Sequence, residues 1–374
     1  MPRALLFCLA QQAIFSESDA QWMRLALEAA ARGLGRTSPN PPVGCALVSE
    51  GEVVGVGHHA RAGSDHAEVV ALREAGARAR GATAYVTLEP CTHHGRTPPC
   101  SEALLAAGIR RAVIATLDPD PRVSGRGRRR LLQEGVEVAT GLLAEQALEQ
   151  QAGFRSRVVR GRPWVTVKWA MTLDGKVATP GGESRWISGE AARQEAHRLR
   201  DRSDLVAVGS GTVLADDPAL TTRLPEGGRD AVAVLFDRSG KIPLDARAVR
   251  PGTVVVTAPE QAGRWSERPV RVLPAPDLEE ALTALASWEF CNLLLEGGPG
   301  LTSQFLAHDL IDEVWVALAP KLLGAGLPPL HGPQRPLRLA AELQGVRSAP
   351  LGGDLLVRGR LHPVPELTAA EGGG

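Results

Sequence analysis

Four residues spaced like the ligands and base of a metal site constrain this chain more than any other feature of its sequence. His66 and Glu68 stand at the start of an apolar helical pattern, and Cys91 follows a strand-like run, with Cys100 nine residues further on. A catalytic zinc ion takes three protein ligands and keeps a fourth position for water. Each of these residues alone would more often be structural, but together they favour a zinc site on converging helix N-termini, where the dipoles stabilise thiolates.

Glu68 is predicted to carry protons at this site rather than to bind the metal. Zinc lowers the pKa of water towards neutrality, and a nearby carboxylate can move protons between water, a ring nitrogen and departing ammonia. The pattern H-x-E followed by P-C-x-x-C is typical of zinc nucleobase deaminases. Here eight residues separate Cys91 from Cys100, and we expect His93 and His94 in that loop to contact substrate rather than zinc.

The chain length of 374 residues predicts two domains, because a single core stops growing below that size. A helical pattern follows Asp19, and a hairpin is predicted at Glu50 and Gly51. Strands are predicted at 43–48, 53–56, 82–88 and 112–116, and further helices at 66–80 and 101–107. Alternating strands and helices predict a three-layer αβα domain over residues 18–150.

A second α/β domain is predicted over residues 160–362, after a charged helical linker at 142–160. Its strands are predicted at 164–170, 205–208, 231–236, 253–257, 292–295 and 313–318, and its helices at 189–202, 278–288 and 301–308. Two Gly-rich turns, at 209–211 and 296–300, follow strands and could hold phosphate groups with backbone N–H groups. The G-x-G-x-x-G fingerprint is missing, and at 296–300 a purely structural turn is equally compatible with the sequence.

Composition narrows the partners and the compartment. Forty-two basic residues balance forty-two acidic ones, which does not favour nucleic acid as a partner. No apolar run reaches the roughly 20 residues needed to cross a bilayer. Five cysteines do not form a disulfide framework in a chain of this length. We therefore expect a cytoplasmic protein that binds a small molecule and neither nucleic acid nor membrane, with a disordered tail at 368–374.

These motifs resemble the bacterial bifunctional riboflavin-biosynthesis deaminase-reductase family. The resemblance covers about residues 18–362 and rests on residues 38–45, 63–68, 87–100, 168–176, 209–223 and 295–300. The spacing of Cys91 and Cys100 separates this family from cytidine and tRNA-adenosine deaminases, whose cysteines are closer. The resemblance implies a cytidine-deaminase-like αβα domain, a dihydrofolate-reductase-like α/β domain that binds NADPH, and a homo-oligomer.

The resemblance also implies a substrate and residue roles. A phosphorylated diamino-pyrimidinone ribosylamine would lose its exocyclic amino group as ammonia and then be reduced by NADPH at its ribose. Asn40 would hold the pyrimidine. The residues that would face the ribosylamino substrate in the reductase domain are Ser184, Arg200, Leu220, Arg223 and Glu296. Those that would face the nucleotide are Ala170, Trp186, Thr212, Asp216, Gly298, Pro299, Gly300, Leu301, Thr302, Ser303 and Gln304.

Elementary chemistry supports some of these roles and leaves others open. Arg200 and Arg223 suit phosphate binding, because guanidinium is a permanently charged planar fork, although a surface ion pair would equally explain Arg200. Lys168 and Asp174 could polarise or position the sugar, and a buried Lys–Asp pair is an alternative explanation for both.

Two positions depart from the family pattern. The family commonly has Ser-Leu-Asp-Gly where this chain has Thr172 at the first position, a change that keeps the hydroxyl. Many members have Ser or Thr where this chain has Arg238. We hypothesise that Arg238 pairs with the 2′-phosphate of NADPH and strengthens the preference for NADPH over NADH.

Three other interpretations are weaker. A monofunctional deaminase of cytidine or tRNA adenosine would have closer cysteines, and a tRNA partner usually requires a basic face. A structural zinc module normally has four protein ligands, and only three are suitably spaced here. Loss of activity in one half is not indicated for the first domain, which keeps every deaminase residue, and the second domain keeps most of its matched positions.

Overall fold

The computed structural model describes residues 15–92, 99–121, 123–332 and 336–366. These residues form two compact units. The first unit runs to Arg160 and also includes the residues from Val364 onwards, and the second spans Gly161–Pro363. His93, His94 and the tail at 368–374, for which the sequence made predictions, lie outside the described residues. Within the described ranges, no helix combines the length and the apolar character needed to cross a membrane.

The first unit is built on a five-stranded sheet in the order β2-β1-β3-β4-β5. Its strands are β1 (Gly44–Ser49), β2 (Glu52–His58), β3 (Thr83–Val86), β4 (Arg111–Ile114) and β5 (Glu137–Thr140). Strand β1 is antiparallel to both of its neighbours, whereas β3, β4 and β5 are parallel to one another. The carboxyl ends of β3 and β4 therefore lie at the same edge of the sheet.

The described α-helices of this unit are α1 (Glu17–Ala31), α2 (Ala67–Ala75), α3 (Cys100–Ala107), α4 (Arg126–Gln133) and α5 (Ala144–Arg160). The basic run at residues 126–130 indicated a solvated helix face, which α4 confirms, whereas the sequence did not predict β5. Helix α1 begins earlier than the pattern after Asp19 indicated, because Ser16 and Asp19 form a reciprocal capping box. The helix predicted over 66–80 ends at Ala75, since Gly76 has a φ of 56° and a short 3-10 turn follows.

Helix α2 packs unusually close to β2. A Cβ atom added to Gly57 would overlap the backbone oxygen of Ala67, and one added to Gly55 would overlap that of Ala71. Small residues on both elements are therefore required for this approach. The larger apolar residues of this helix are only half-buried: Val69, Val70 and Leu72.

The second unit is built on a nine-stranded sheet in the order β10-β9-β8-β7-β11-β6-β12-β14-β13. The strands are β6 (Trp164–Thr172), β7 (Leu205–Gly209), β8 (Val232–Phe236), β9 (Val254–Thr257), β10 (Arg271–Pro274), β11 (Asn292–Leu295), β12 (Glu313–Ala319), β13 (Gln344–Leu351) and β14 (Asp354–Arg360). All neighbours from β10 to β12 pair in parallel, and β14 and β13 add an antiparallel edge.

Four α-helices are described in this unit: α6 (Glu190–Arg202), α7 (Ser210–Asp216), α8 (Leu278–Ser287) and α9 (Pro299–Ala307). Two clusters of buried apolar side chains pack against the parallel strands, so these strands are apolar on both faces. The carboxyl ends of such strands lie along one edge, which is where open α/β sheets bind their ligands.

We expect Gly57→Ala to destabilise the first unit. The added methyl group forces α2 away from β2, and overpacking of this kind costs about 1–3 kcal/mol in free energy of unfolding. Calorimetric unfolding of the full chain measures the change. Val53→Ala, an exposed change on the same strand, is the control, and equal destabilisation by both substitutions would contradict this prediction.

Candidate metal centre and reductase cavity

The three predicted zinc ligands meet at one point in the first unit. His66 immediately precedes α2, Cys100 is the first residue of α3, and Cys91 lies in the segment after β3. The possible ligand atoms of all three lie within 4.8 Å of one another. Nδ1 of His66 is 3.0 Å from Sγ of Cys100 and 3.7 Å from Sγ of Cys91. One imidazole and two soft sulfur donors are a set that suits zinc.

The surroundings of Cys91 favour its thiolate form. The hydrogen bond from the Cys100 thiol has the largest effect, and together with that from His66 it outweighs burial and lowers the pKa of Cys91 to about 4. The backbone N–H of Cys100 also donates to Sγ of Cys91, at 3.3 Å. The hydrogen bond with Cys91 raises the pKa of His66 in turn. Cys91 is therefore ready to bind a cation at neutral pH, because the thiolate is the metal ligand.

Glu68 lies in the first turn of α2, beside these ligands. Its side chain is buried, and burial followed by the charge of Cys91 raises the pKa of Glu68 to about 7. A carboxyl group that titrates near neutral pH can accept and return a proton efficiently. The geometry therefore suits the proton-carrying role that the sequence predicted for Glu68.

His59 is a buried part of this site that the sequence reasoning missed. Its Nδ1 donates to the backbone oxygen of Asp65 at 3.1 Å, which leaves Nε2 to accept from the side-chain amide of Asn40 at 3.0 Å. Its ring also meets the His66 ring edge-on, with centroids 5.3 Å apart. The amide nitrogen of Asn40 is thus engaged by His59, and its side-chain oxygen remains available to a ligand. A pair of histidines at the end of a strand, His58 and His59, gave no signal of this role.

A cavity of about 620 Å³ lies at the carboxyl ends of the parallel strands in the second unit. The predicted site residues that line it are Ser184, Thr212, Asp216, Arg238, Glu296, Gly298, Pro299, Gly300, Leu301, Thr302 and Gln304. The predicted residues that lie outside this lining are Lys168, Ala170, Asp174, Trp186, Arg200, Leu220, Arg223 and Ser303. The structure therefore gathers most of the predicted nucleotide contacts, and fewer of the predicted substrate contacts.

Both Gly-rich turns border this cavity. Gly298 caps α9, and its N–H donates to Oγ1 of Thr212 at 2.9 Å. Gly209 is the N-cap residue of the shorter helix α7. At Gly211 and Gly300 the space around the backbone is open, so a ligand can approach these turns closely. The free N–H groups at the start of α9 suit a phosphate group.

Arg200 and Glu296 form an internal ion pair next to the cavity. Nε and Nη2 of Arg200 donate to the two carboxylate oxygens of Glu296 at 2.8 and 2.6 Å, and the side chains are only 12% and 13% exposed. Burial alone would raise the pKa of Glu296, but Arg200 holds it below its usual value. Because the pair is buried, the surface ion pair considered for Arg200 is wrong. Arg200 orients Glu296, and Glu296 lines the cavity.

The alternative pairing of Lys168 with Asp174 is also wrong. The Asp174 carboxylate accepts from the Thr172 hydroxyl at 2.5 Å and from the N–H of Gly324 at 2.7 Å. These bonds, with one from the N–H of Leu323, lower the pKa of Asp174 to about 2. Lys168 instead interacts electrostatically with Glu296, and burial lowers the pKa of Lys168. Asp174 therefore stabilises a turn.

Three other predicted site residues, Leu220, Arg223 and Trp186, have side-chain environments outside the cavity lining. The Leu220 side chain is fully buried in the apolar core, so only its backbone, with φ of 54°, could reach a ligand. Arg223 is exposed and donates to the Thr221 hydroxyl at 3.1 Å. The Trp186 ring is exposed beneath the Arg193 guanidinium, 4.7 Å from the ring centroid.

Comparisons with known proteins agree with this division of the chain. Residues 16–116 match the cytidine and deoxycytidylate deaminase zinc-binding region, and residues 163–357 match the RibD C-terminal domain. Riboflavin biosynthesis protein RibD of Aquifex aeolicus is 44% identical, over 83% of this chain and 89% of that protein. RibD of Escherichia coli is 42% identical, over 82% of this chain and 89% of that protein. The chain belongs to the RibD family.

Solved structures agree with the family assignment. A structure of RibD from Acinetobacter baumannii has a TM-score of 0.84 and 38% identity, and covers 92% of this chain and 99% of that one. A Thermotoga maritima diaminohydroxyphosphoribosylaminopyrimidine deaminase/5-amino-6-(5-phosphoribosylamino)uracil reductase has a TM-score of 0.84 and 36% identity, covering 92% and 98%. The predicted fold class is confirmed. The chain is a bifunctional deaminase and reductase of riboflavin biosynthesis, with zinc and NADPH as cofactors.

We expect Cys91→Ser and Cys100→Ser each to lower the zinc content well below about one ion per chain, because a catalytic zinc site has only three protein ligands. Atomic absorption on purified protein measures the content. Cys291→Ala removes a buried cysteine from the second unit and is the control. Zinc retained in full by both serine variants would contradict the assigned ligands.

We expect Arg200→Met to destabilise the second unit by about 3–5 kcal/mol, because it leaves the buried Glu296 carboxylate without its partner. Urea unfolding followed by tryptophan fluorescence measures the loss. Arg198→Met on the same helix removes a more exposed ion pair with Glu195 and should cost no more than about 1 kcal/mol. A similar loss in free energy of unfolding in both variants would contradict this prediction, because the Arg200–Glu296 pair would then stabilise the unit no more than an exposed pair does.

Proposed function

We propose that the chain catalyses two successive reactions on one phosphorylated pyrimidine. The first is hydrolytic deamination of 2,5-diamino-6-ribosylamino-4(3H)-pyrimidinone 5′-phosphate. The second is NADPH-dependent reduction of the ribosyl side chain of the product to ribityl. The observation that carries this proposal is the convergence of His66, Cys91 and Cys100 beside the buried Glu68. The membership of the RibD family and the cavity in the second unit support the reductase step.

In the deaminase unit we assign metal binding to His66, Cys91 and Cys100, and proton transfer to Glu68. Zinc supplies Lewis acidity, which brings the pKa of water into the neutral range. The Glu68 carboxylate takes a proton from the attacking water and delivers protons to the ring nitrogen and to the departing amino group. The C–NH2 bond is replaced by C=O, and ammonia leaves. Asn40, held by His59, presents its side-chain oxygen to a pyrimidine N–H.

In the reductase unit the residues of this chain bind and polarise the sugar. NADPH supplies the hydride that is added to C1′. The ribose must first open: the bond between C1′ and the ring oxygen breaks, the exocyclic nitrogen keeps its proton and forms an iminium at C1′, and the ring oxygen takes up a proton. Hydride addition to C1′ of the iminium then gives the neutral amine. We assign the ring-oxygen proton to Lys168, which lies outside the cavity lining but interacts by charge with Glu296 in it, because burial lowers the pKa of its ammonium group and makes it a better acid. Glu296 lines the cavity and keeps Lys168 near it by charge attraction.

We assign the nucleotide to the Gly-rich edge of the cavity and its 2′-phosphate to Arg238. Arg238 is exposed, lines the cavity and follows β8. The preceding Asp237 is buried, and its carboxylate accepts from the N–H groups of Lys241 and Ile242 at 2.8 and 3.1 Å. Asp237 therefore shapes the turn that presents Arg238. A guanidinium at the end of a rigid turn suits a phosphate monoester.

A homo-oligomer is part of this proposal. Strand β13 is the outer strand of the sheet and is exposed along nearly its whole length. It carries the exposed Val346, at 55%, and the segment that precedes it in sequence exposes Leu337 at 92% and Leu339 at 59%. An open strand edge with apolar neighbours favours association with another chain. Analytical sedimentation of the purified protein measures its oligomeric state. A monomer at all concentrations would contradict the proposed homo-oligomer.

A coupled assay tests both reactions on the full chain. Zinc-loaded protein is incubated with the diamino-pyrimidinone ribosylamine phosphate, and ammonia release and NADPH oxidation are followed with and without a chelator. We expect ammonia release that the chelator abolishes, and NADPH oxidation that requires the deaminated product. No ammonia from zinc-loaded protein would contradict the deaminase assignment. Ammonia without NADPH oxidation would contradict the reductase assignment.

We expect Arg238→Ala to raise the KM for NADPH about tenfold and to leave the KM for NADH unchanged, because a charge-assisted hydrogen bond contributes about 1.5–3 kcal/mol. Initial rates with both nucleotides and the deaminated substrate measure the ratio. Lys241→Ala, in the same turn but outside the cavity lining, is the control. An unchanged nucleotide preference in Arg238→Ala would refute the assignment.

A further inference from the structure

The deaminase unit contains a buried arginine to which the proposed reactions assign no role. Arg155, in α5, is only 2% exposed. Its guanidinium donates to Oε1 of Gln151 at 3.1 Å and to the backbone oxygens of Leu117 at 2.6 Å and Pro365 at 3.3 Å. All three hydrogen-bond acceptors are uncharged, and the carboxylates of Glu366 and Asp118 act on the guanidinium by charge alone. Burying a cation without a directly hydrogen-bonded anion is costly, which suggests that Arg155 holds these three acceptors in position.

One of these acceptors, Leu117, lies in the segment that follows β4. The next residue, Asp118, donates its N–H to the Glu89 carboxylate at 3.3 Å. Glu89 is buried two residues before Cys91, and it also accepts from the N–H groups of Gly125 and Arg128, both at 2.9 Å. Residues 117–118 are therefore held between Arg155 on one side and the zinc-ligand segment on the other.

Gln151 connects Arg155 to the ends of two strands. Its Nε2 donates to the backbone oxygen of Thr87, just after β3, at 2.9 Å. Its Oε1 accepts from the Thr116 hydroxyl, just after β4, at 3.1 Å. The whole network is buried and lies at the carboxyl ends of neighbouring parallel strands. Ligands of open α/β sheets bind at this edge, so the network supports the substrate side of the site.

The third acceptor comes from the far end of the chain. Residues 364–366 follow the entire reductase unit in sequence, yet from Val364 onwards the chain belongs to the deaminase unit. Val364 is buried there, and the charge of Glu366 favours the Arg155 cation. The deaminase unit is thus discontinuous, and its last segment is anchored on Arg155.

We propose that Arg155 is a positioning residue of the deaminase, which fixes residues 117–118 beside Cys91, and that residues 364–366 complete the deaminase by supplying one of its acceptors. The inference rests on the proposed deaminase activity. Loosening the network displaces the segment at 117–118 and weakens substrate binding, whereas His66, Cys91 and Cys100 stay in place. The deaminase KM therefore depends on residues that follow the reductase in sequence.

Substitutions at Arg155 in the full zinc-loaded chain test the role directly. We expect Arg155→Met to raise the deaminase KM by roughly ten- to a hundredfold, since a small misplacement at a binding site has effects of that size. Deaminase kcat, zinc content and reductase kinetics should stay within about twofold. Arg155→Lys keeps the charge but lacks the planar fork that reaches the three separate acceptors. Its deaminase KM should therefore fall between those of the unaltered chain and Arg155→Met. Arg129→Met, an exposed change on α4, is the control.

Two shortened chains test the role of the last segment. A chain that ends at Pro363 should show the raised deaminase KM of Arg155→Met with normal reductase kinetics, whereas one that ends at Glu366 should behave as the full chain does. The proposal would be overturned if the deaminase KM of Arg155→Met and of both shortened chains were the same as that of the full chain. Parallel loss of zinc, kcat and folding in the variants would make Arg155 a stability element only and would also overturn it. Absence of ammonia release by the unaltered chain would instead refute the proposed function.

Discussion

The close contact of α2 with β2 determines where the deaminase chemistry lies. Glycine at positions 55 and 57 of the strand permits this approach, since a Cβ at either position would overlap the helix backbone. The N-terminal end of the same helix carries His66 and Glu68, so the position of ligand and base follows from backbone packing. Cys91 and the N-terminus of α3 then meet His66 at hydrogen-bonding distances. Added bulk at this contact therefore acts on the metal site as well as on stability.

The zinc ligands could be predicted from sequence because they fall in two short local patterns, one at residues 66–68 and one at residues 87–100. The contacts that support them could not, because they join distant segments. His59 is the second of two adjacent histidines at the end of a strand, and Arg155 is one charge on a helix that was expected to be a charged linker. Nothing local indicates that Arg155 meets Pro365, 210 residues away. Strand β13 was missed because its exposed residues show no alternation of apolar and polar side chains.

In the reductase unit, too, the contacts between segments distant in sequence could not be predicted. Its Gly-rich turns were visible in sequence, yet the partner of Arg200 was not, because Glu296 lies 96 residues away at the end of another strand. The nearness of Lys168 and Asp174 in sequence suggested a pair that the structure does not contain. A strand separates its successive side chains onto opposite faces, and Asp174 lies beyond the strand in a turn of its own. Register between parallel strands, rather than sequence spacing, decides which charges meet here.

The charges around Glu296 have a consequence for the substrate of the second unit. One carboxylate lies between Arg200, which holds it by two hydrogen bonds, and Lys168, which interacts with it by charge alone. The group therefore keeps an excess of positive charge beside the cavity, and the burial that lowers the pKa of Lys168 makes its ammonium the more readily released proton of the two cations. Such a site favours a ligand rich in oxygen and negative charge. A phosphorylated sugar whose ring oxygen must take up a proton meets both conditions, whereas an uncharged apolar ligand would meet neither.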